Sequence, residues 1–204
     1  MWVLVENETI TKTFNYAKGF VLNDTQYPKD IFTKWSKEEK EAIGIYEVIV
    51  DKTNYKDPKY YNNTDSTIGF ANNQATKSWG TAAAKRLVDE NVVDENNNPL
   101  LDNDGNQLVN YGLKTENKKI IKNQASSLLS QTDWYVIKAT EVVDYAVPTD
   151  ITTYRATVRN RSNEMETAVD NAVDVDALKT LYEYTEQADG SFARPLGEWP
   201  EEVI

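Results

Sequence analysis

The spacing that comes nearest to a metal-binding pattern is Asp102-Asn103-Asp104-Gly105-Asn106. It imitates the start of a calcium loop, which requires Gly at its sixth position and a bidentate Glu at its twelfth. Here Gly105 stands fourth and Leu113 twelfth, so the stretch reads as a polar turn in preference to a weak calcium site. Other acids occur side by side as Glu38-Glu39, Asp94-Glu95 and Glu201-Glu202, all in polar surroundings. General acid–base work needs a pocket that drives two pKa values apart, and none of these pairs is marked by one. The chain has no Cys and no His. Thiol nucleophiles, imidazole bases, zinc-finger sites and disulfides are therefore excluded. With only 8 Gly there is no glycine-rich phosphate loop. The expectation is a protein that is not an enzyme and uses no cofactor and no metal.

Charge narrows the partners. The 204 residues carry a formal net charge of −11, which repels phosphate backbones and argues against nucleic acid. The charge is uneven: Arg161 to Ile204 holds eleven acids against three bases, whereas Leu113 to Lys138 holds five bases against two acids. Lys114, Lys118, Lys119 and Lys122 fall mostly on one face of a helix, either as a solvated surface or as a docking face for an acidic partner, for instance the tail of a second copy. Arg155 and Arg159 lie four residues apart on a later helix and are read as pointing away from its apolar stripe. Lys118, Lys122, Arg155 and Arg159 are thus the candidate partner-binding residues. Tyr60 and Tyr61, next to Asn62-Asn63, are the candidates for a carbohydrate-binding surface, while Trp35 and Trp79 are assigned to the core. No run approaches the ~18 apolar residues of a membrane helix, and the first residues show no signal peptide.

These residues need elements to hold them. An α+β protein is expected, with 40% hydrophobic residues sufficient for a core. Trp2–Val5 and Thr9–Phe14 read as a hairpin around Glu6-Asn7-Glu8. Ser36 and Glu39 form a capping box for a short helix that Gly44 ends. Ile45–Val50 follows as a strand, and Ala71-Asn72-Asn73-Gln74 turns a second hairpin. Residues 1–85 make a strand-rich domain. Residues 86–112 form a polar arm with an eight-residue period that aligns Asp94 with Asp102, Asn98 with Asn106 and Leu100 with Leu108, and suits a projecting hairpin or linker. Residues 113–182 are helical. One helix carries Ile121, Ala125, Leu128 and Leu129 and stops near Thr132-Asp133. Trp134–Ile137 is strand or loop. A long helix after Val147-Pro148 carries Ile151, Tyr154, Val158, Met165, Val169 and Ala172, and a short one is started by Asp174. Residues 183–204 give a short hairpin at Asp189-Gly190 and an extended acidic tail.

The ordered set Leu128-Leu129, Thr132-Asp133-Trp134, Val147-Pro148, Tyr154-Arg155-Ala156, Val158-Arg159 and Trp199-Pro200 resembles the tail-fibre assembly chaperones and related tail accessory proteins of tailed bacteriophages, over roughly residues 113–200. Trp35-Ser36 and Gly44 to Val48 are similar to the variable front domain of marine-phage relatives. The resemblance implies a non-catalytic phage protein that binds tail or tail-fibre proteins during assembly in the host cytoplasm. The alternatives are a subunit retained in the virion (fibre, tail or decoration component) and a carbohydrate-binding receptor module. It implies no catalytic residue and leaves room for a homo-oligomer. In this reading Trp134 folds back onto Leu128 and the Tyr154/Val158 stripe as part of the core.

Overall fold

The computed structural model describes residues 1–203, and Ile204, the last residue of the acidic tail, lies outside the described residues. The chain divides into two compact units, Met1–Ala83 and Ala84 to the C-terminus. Both strands and helices are present, segregated along the chain as expected of an α+β protein.

The first unit is built from two-residue turns. β1 (Trp2–Glu6) and β2 (Thr9–Phe14) are joined by Asn7-Glu8, β3 (Phe20–Leu22) and β4 (Thr25–Tyr27) by Asn23-Asp24. All four turn residues have positive φ, between 47° and 61°. That is the geometry a tight hairpin demands, and Asn and Asp tolerate it better than most residues. α1 (Ile31–Lys34) and α2 (Lys37–Ala42) follow. The expected capping box is formed: Glu39 N–H donates to Ser36 Oγ at 3.1 Å and Ser36 N–H to Glu39 Oε2 at 2.7 Å. β5 (Ile45–Val50), β6 (Tyr61–Asn62), β7 (Ser66–Ala71), β8 (Gln74–Trp79) and the two-residue β9 (Ala83–Ala84) complete the series. β7 and β8 turn through Asn72-Asn73, again at positive φ.

The sheet order is β2-β1-β5-β8-β7, antiparallel except for the parallel β5–β8 pair. Its two edge strands approach each other, so the sheet curls. Because alternate residues face opposite sides, β1 buries Leu4 in one cluster with Phe14, Phe20, Ile31, Phe32 and Ile45, and Val3 in another with Val48 and Ala75. The unbroken apolar run at the N-terminus reflects a strand covered on both faces. Five aromatic pairs link Trp2, Phe14, Phe20, Tyr27 and Phe32 at centroid distances of 4.8–6.0 Å, in the range where tilted rings attract. The β3–β4 hairpin and α1 have no counterpart in the sequence reading.

The second unit begins with a small polar lobe. β10 (Glu90–Asn91) pairs with β11 (Val109–Asn110), and between them the two eight-residue copies fold identically. In each copy an aspartate Oδ1 accepts from the backbone two and four residues on: Asp94 from Asn96 and Asn98, Asp102 from Asp104 and Asn106, all at 2.8–2.9 Å. Asn97 and Gly105 occupy the same left-handed position. Each copy is thus a hairpin tip closed by its own carboxylate.

Three helices form the body of this unit: α3 (Leu113–Ser130), α5 (Thr149–Asn171) and the short α6 (Val175–Thr180), with α4 (Asp133–Glu141) between α3 and α5 in sequence. α3 packs along α5. Ile151, Tyr154, Val158, Met165, Val169 and Ala172 are all buried, as the helical period requires. Asp174 caps α6 by accepting from Ala177 N–H at 2.7 Å. β12 (Thr185–Glu186) and β13 (Phe192–Ala193) form the terminal hairpin. The segment after it has no regular structure but is not free. Leu196 is fully buried, and the Arg161 guanidinium donates to the carbonyls of Pro195 at 2.9 Å and Glu198 at 3.0 Å.

Two outcomes are expected from this architecture. Gly44 has φ +79°, and a Cβ there would lie 2.6 Å from Val5 O. Gly44→Ala should cost about 1–3 kcal/mol, measurable as a lower urea midpoint with an unchanged m-value. Hydrogen bonds from Asn98, side chain first and then backbone, hold the Asp94 carboxyl below its ordinary value. Those from Asn106, backbone first, do the same for Asp102. A depressed folded-state pKa contributes stability that is complete above the ordinary carboxylate value and lost as pH falls through the folded value. Amide protection at Asn98 and Asn106 should therefore drop in strong acid, and hydrogen exchange followed by NMR reads it directly.

Candidate interaction site at helix α4

α4 is nine residues long and buries none of them. Its sequence explains why. Trp134, Tyr135, Val136 and Ile137 are four consecutive apolar residues, and a helix places consecutive side chains about 100° apart. One neighbouring element cannot cover them all. Trp134 is 50% exposed and Ile137 55%, and Val142 and Val143 just beyond the helix are exposed as well. Trp134 and Tyr135 lie ring against ring at 3.8 Å. Lys138 Nζ sits 4.3 Å from the Tyr145 ring and 5.7 Å from that of Trp134, which keeps a positive charge beside the apolar surface.

Two sequence expectations are corrected here. Trp134–Ile137 is neither strand nor loop but about one turn near the start of a helix. Trp134 does not fold back into the core. Of Thr132-Asp133-Trp134, the residue that enters the interior is Thr132, which is fully buried.

Arg155 accounts for this arrangement. It does not project away from the α5 stripe as expected; it is only 9% exposed. Its guanidinium donates to Leu129 O at 2.7 Å and to Thr132 Oγ1 at 2.6 Å, and pairs with Asp133 Oδ1 at 2.8 Å. Thr132 Oγ1 in turn donates to Leu129 O at 2.9 Å. The last carbonyls of a helix lack the usual partner four residues on, and at the end of α3 Arg155 adds a charged donor to Leu129 O, which also accepts from Thr132 N–H at 3.1 Å. The same fork grips the first residue of α4. Arginine's planar array of donors suits such a task, whereas a lysine offers a single point of charge.

Arg155, Arg159 and Lys122 line one open groove of about 460 Å3 between α3 and α5, with Ser126, Asp133, Ser162 and Asn163. The groove thus brings together three of the four candidate residues and ends at the first residue of α4. Its cations differ in availability. Lys122 pairs with Glu166 at 3.3 Å. Arg159 makes one long bond, 3.4 Å, to the carbonyl of Arg155. Lys118 lines a second cleft, of about 570 Å3, with Tyr111, Thr115, Lys119 and Lys122. It pairs with Asp170 at 2.8 Å, and that hydrogen bond holds its ammonium above the ordinary lysine value. The basic face of α3 is therefore partly neutralised by acids of α5.

Tyr60 and Tyr61 are placed elsewhere and otherwise than expected. They are 3% and 5% exposed, and Lys59 and Lys56 lie over their rings at 4.9 and 4.3 Å. Buried and covered rings offer no stacking platform for a sugar. At the calcium-like turn, Asp102 already accepts from Asp104, Asn106 and the Asn106 side chain. Among the described residues no three acidic residues gather as metal ligands, and no helix is long and apolar enough to cross a membrane.

Arg155→Ala should remove about 2–4 kcal/mol of stability, because it takes a nearly buried charged donor from Leu129 O, Thr132 Oγ1 and Asp133 Oδ1 at once and leaves a gap beside them. Arg155→Lys should recover less than half of that loss, since one ammonium cannot serve three acceptors at these positions. Thermal unfolding of the two variants beside the parent decides it; a Lys variant as stable as the parent would show that charge alone suffices.

No protein family, curated protein sequence or solved structure matches this chain.

Proposed function

We propose that this chain is a non-catalytic bacteriophage protein of the tail or tail-fibre module that binds another phage protein during assembly. The observation that carries the binding reading is α4: a helix with no buried residue, showing Trp134, Val136 and Ile137 together, with Trp134 the one exposed tryptophan among the described residues. Contiguous apolar surface of this kind marks protein-interaction sites, and tryptophan is among the residues that most often anchor them. The groove with Lys122 and Arg159 begins where α4 begins, so the partner is expected to combine an apolar anchor with carboxylates beside it. The assignment to a phage tail module comes from the Thr-Asp-Trp and Tyr-Arg motif, whose residues converge here: Thr132, Asp133 and Arg155 orient the helix that displays Trp134. Action in the host cytoplasm during assembly follows from that role, and retention in the virion is the alternative.

The test is co-purification with the tail and fibre proteins encoded beside the gene. Trp134→Glu and Ile137→Glu together should abolish the complex while leaving thermal stability within about 0.5 kcal/mol of the parent, as for exposed positions generally. Lys122→Glu with Arg159→Glu should weaken it in a salt-dependent way. Unimpaired complex formation by the Trp134/Ile137 variant would refute the site. Stoichiometric presence of the chain in purified particles would select the virion role.

A further inference from the structure

The polar lobe has a symmetry that its sequence shows only in part. Val92 N–H donates to Leu108 O, Leu108 N–H to Leu100 O, and Leu100 N–H to Val92 O, at 2.8, 2.8 and 2.9 Å. Each of these residues is eight from the next, so three equivalent backbone positions close a ring of hydrogen bonds. The bridges outside the ring obey the same rule. Val93 pairs with Pro99, Leu101 with Gln107, and Val109 with Asn91, the three pairings being related by steps of eight. The segment is a three-leaved cloverleaf. Asp94 and Asp102 close two leaves, and β10 and β11 are the stem of the third, where the chain comes in and leaves. On the axis, the Gln107 side-chain nitrogen lies 2.7, 3.1 and 2.9 Å from the carbonyl oxygens of Val92, Leu100 and Leu108.

The symmetry repeats an apolar pair three times: Val92-Val93, Leu100-Leu101 and Leu108-Val109. Val93, Leu100, Leu101 and Leu108 are exposed, Leu101 at 55%. Residues 91–110 also contain four acids, Asp94, Glu95, Asp102 and Asp104, and no base. The lobe therefore presents at least one exposed member of each apolar pair around an axis, with acids at two leaf tips. A second copy of the same lobe would bring acid against acid, which disfavours pairing of lobe with lobe.

We propose that the lobe is a docking knob for the end of a three-fold symmetric protein, with an apolar centre and a basic rim, one copy of this chain seating on each trimer. An asymmetric partner could meet only one of the three apolar pairs in a given way. A trimer's axis meets all three pairs at equivalent backbone positions, and a basic rim matches the two acidic leaf tips. This inference goes beyond the α4 reading and rests on the same tail-module assignment for its choice of probe.

The test uses the full chain and the purified trimeric proteins encoded in the same tail region. Native mass spectrometry should show one chain per trimer. Val93→Asp with Leu101→Asp should weaken binding at least about tenfold. Glu95→Lys with Asp104→Lys, both on exposed tips, should weaken it several-fold without touching the apolar pairs, which guards against a folding defect in the first variant. Trp134→Glu with Ile137→Glu should leave this complex intact. A complex lost only in the α4 variant, or formed at one chain per subunit, overturns the knob and leaves the α4 site standing. No complex with any trimer overturns the knob, and a complex of the α4 site with a non-trimeric tail protein would then still support the other reading.

Discussion

Where α4 points depends on a single guanidinium. A helix that ends and restarts within three residues leaves carbonyls without partners at one end and a free direction of departure at the other. Arg155, reaching across from α5, engages both: one guanidinium binds Leu129 O, Thr132 Oγ1 and Asp133 Oδ1 together. The apolar residues that follow are then presented outward. The cost of exposing Trp134 and Ile137 is met by the packing of α3 on α5, which buries Ile121, Ala125, Val158 and Met165. Rigidity in the support and exposure at the tip are the two properties a recognition element requires.

Polar side chains carry an unusual share of the local structure. Aspartates close two leaves of the lobe, a serine and a glutamate open α2, an aspartate opens α6, and asparagines turn three hairpins. Asp89 accepts from Gly112 N–H and Thr115 Oγ1 at the start of α3. Inside the second unit Asn117, almost fully buried, donates to Leu113 O and accepts from the Tyr182 hydroxyl at 2.5 Å. With neither disulfide nor histidine, such side-chain hydrogen bonds fix the chain's direction, and the aromatic and aliphatic clusters supply the driving force.

Much of the fold was legible from the sequence because the signals were local. The capping box, the Asn turns, the Asp174 cap and the α5 stripe each depend on residues within a few positions of one another. The β3–β4 hairpin was not legible, since Asn23-Asp24 is flanked by strands of only three residues. The candidate site was half legible. Lys122, Arg155 and Arg159 do line one groove, but the directions of Arg155 and Trp134 were inverted. Helical spacing puts Arg155 next to Tyr154 and says nothing of Thr132 and Asp133 on another element. The readable warning was the four consecutive apolar residues after Asp133, more than one helical face can bury. Tyr60 and Tyr61 misled for the converse reason: Asn-rich neighbours suggest exposure, yet lysine stems can roof a ring.

The hydrogen-bonded ring of the lobe also sets a limit on how this segment can vary. Tandem repeats usually gain or lose copies freely, since each new unit stacks on the last. Here the units are arranged around a point. Two leaves and a stem fill the circle, and a further eight residues would have no place in it. The length of the segment is therefore locked by closure: a substitution at a leaf tip leaves the ring intact, whereas an inserted leaf breaks it.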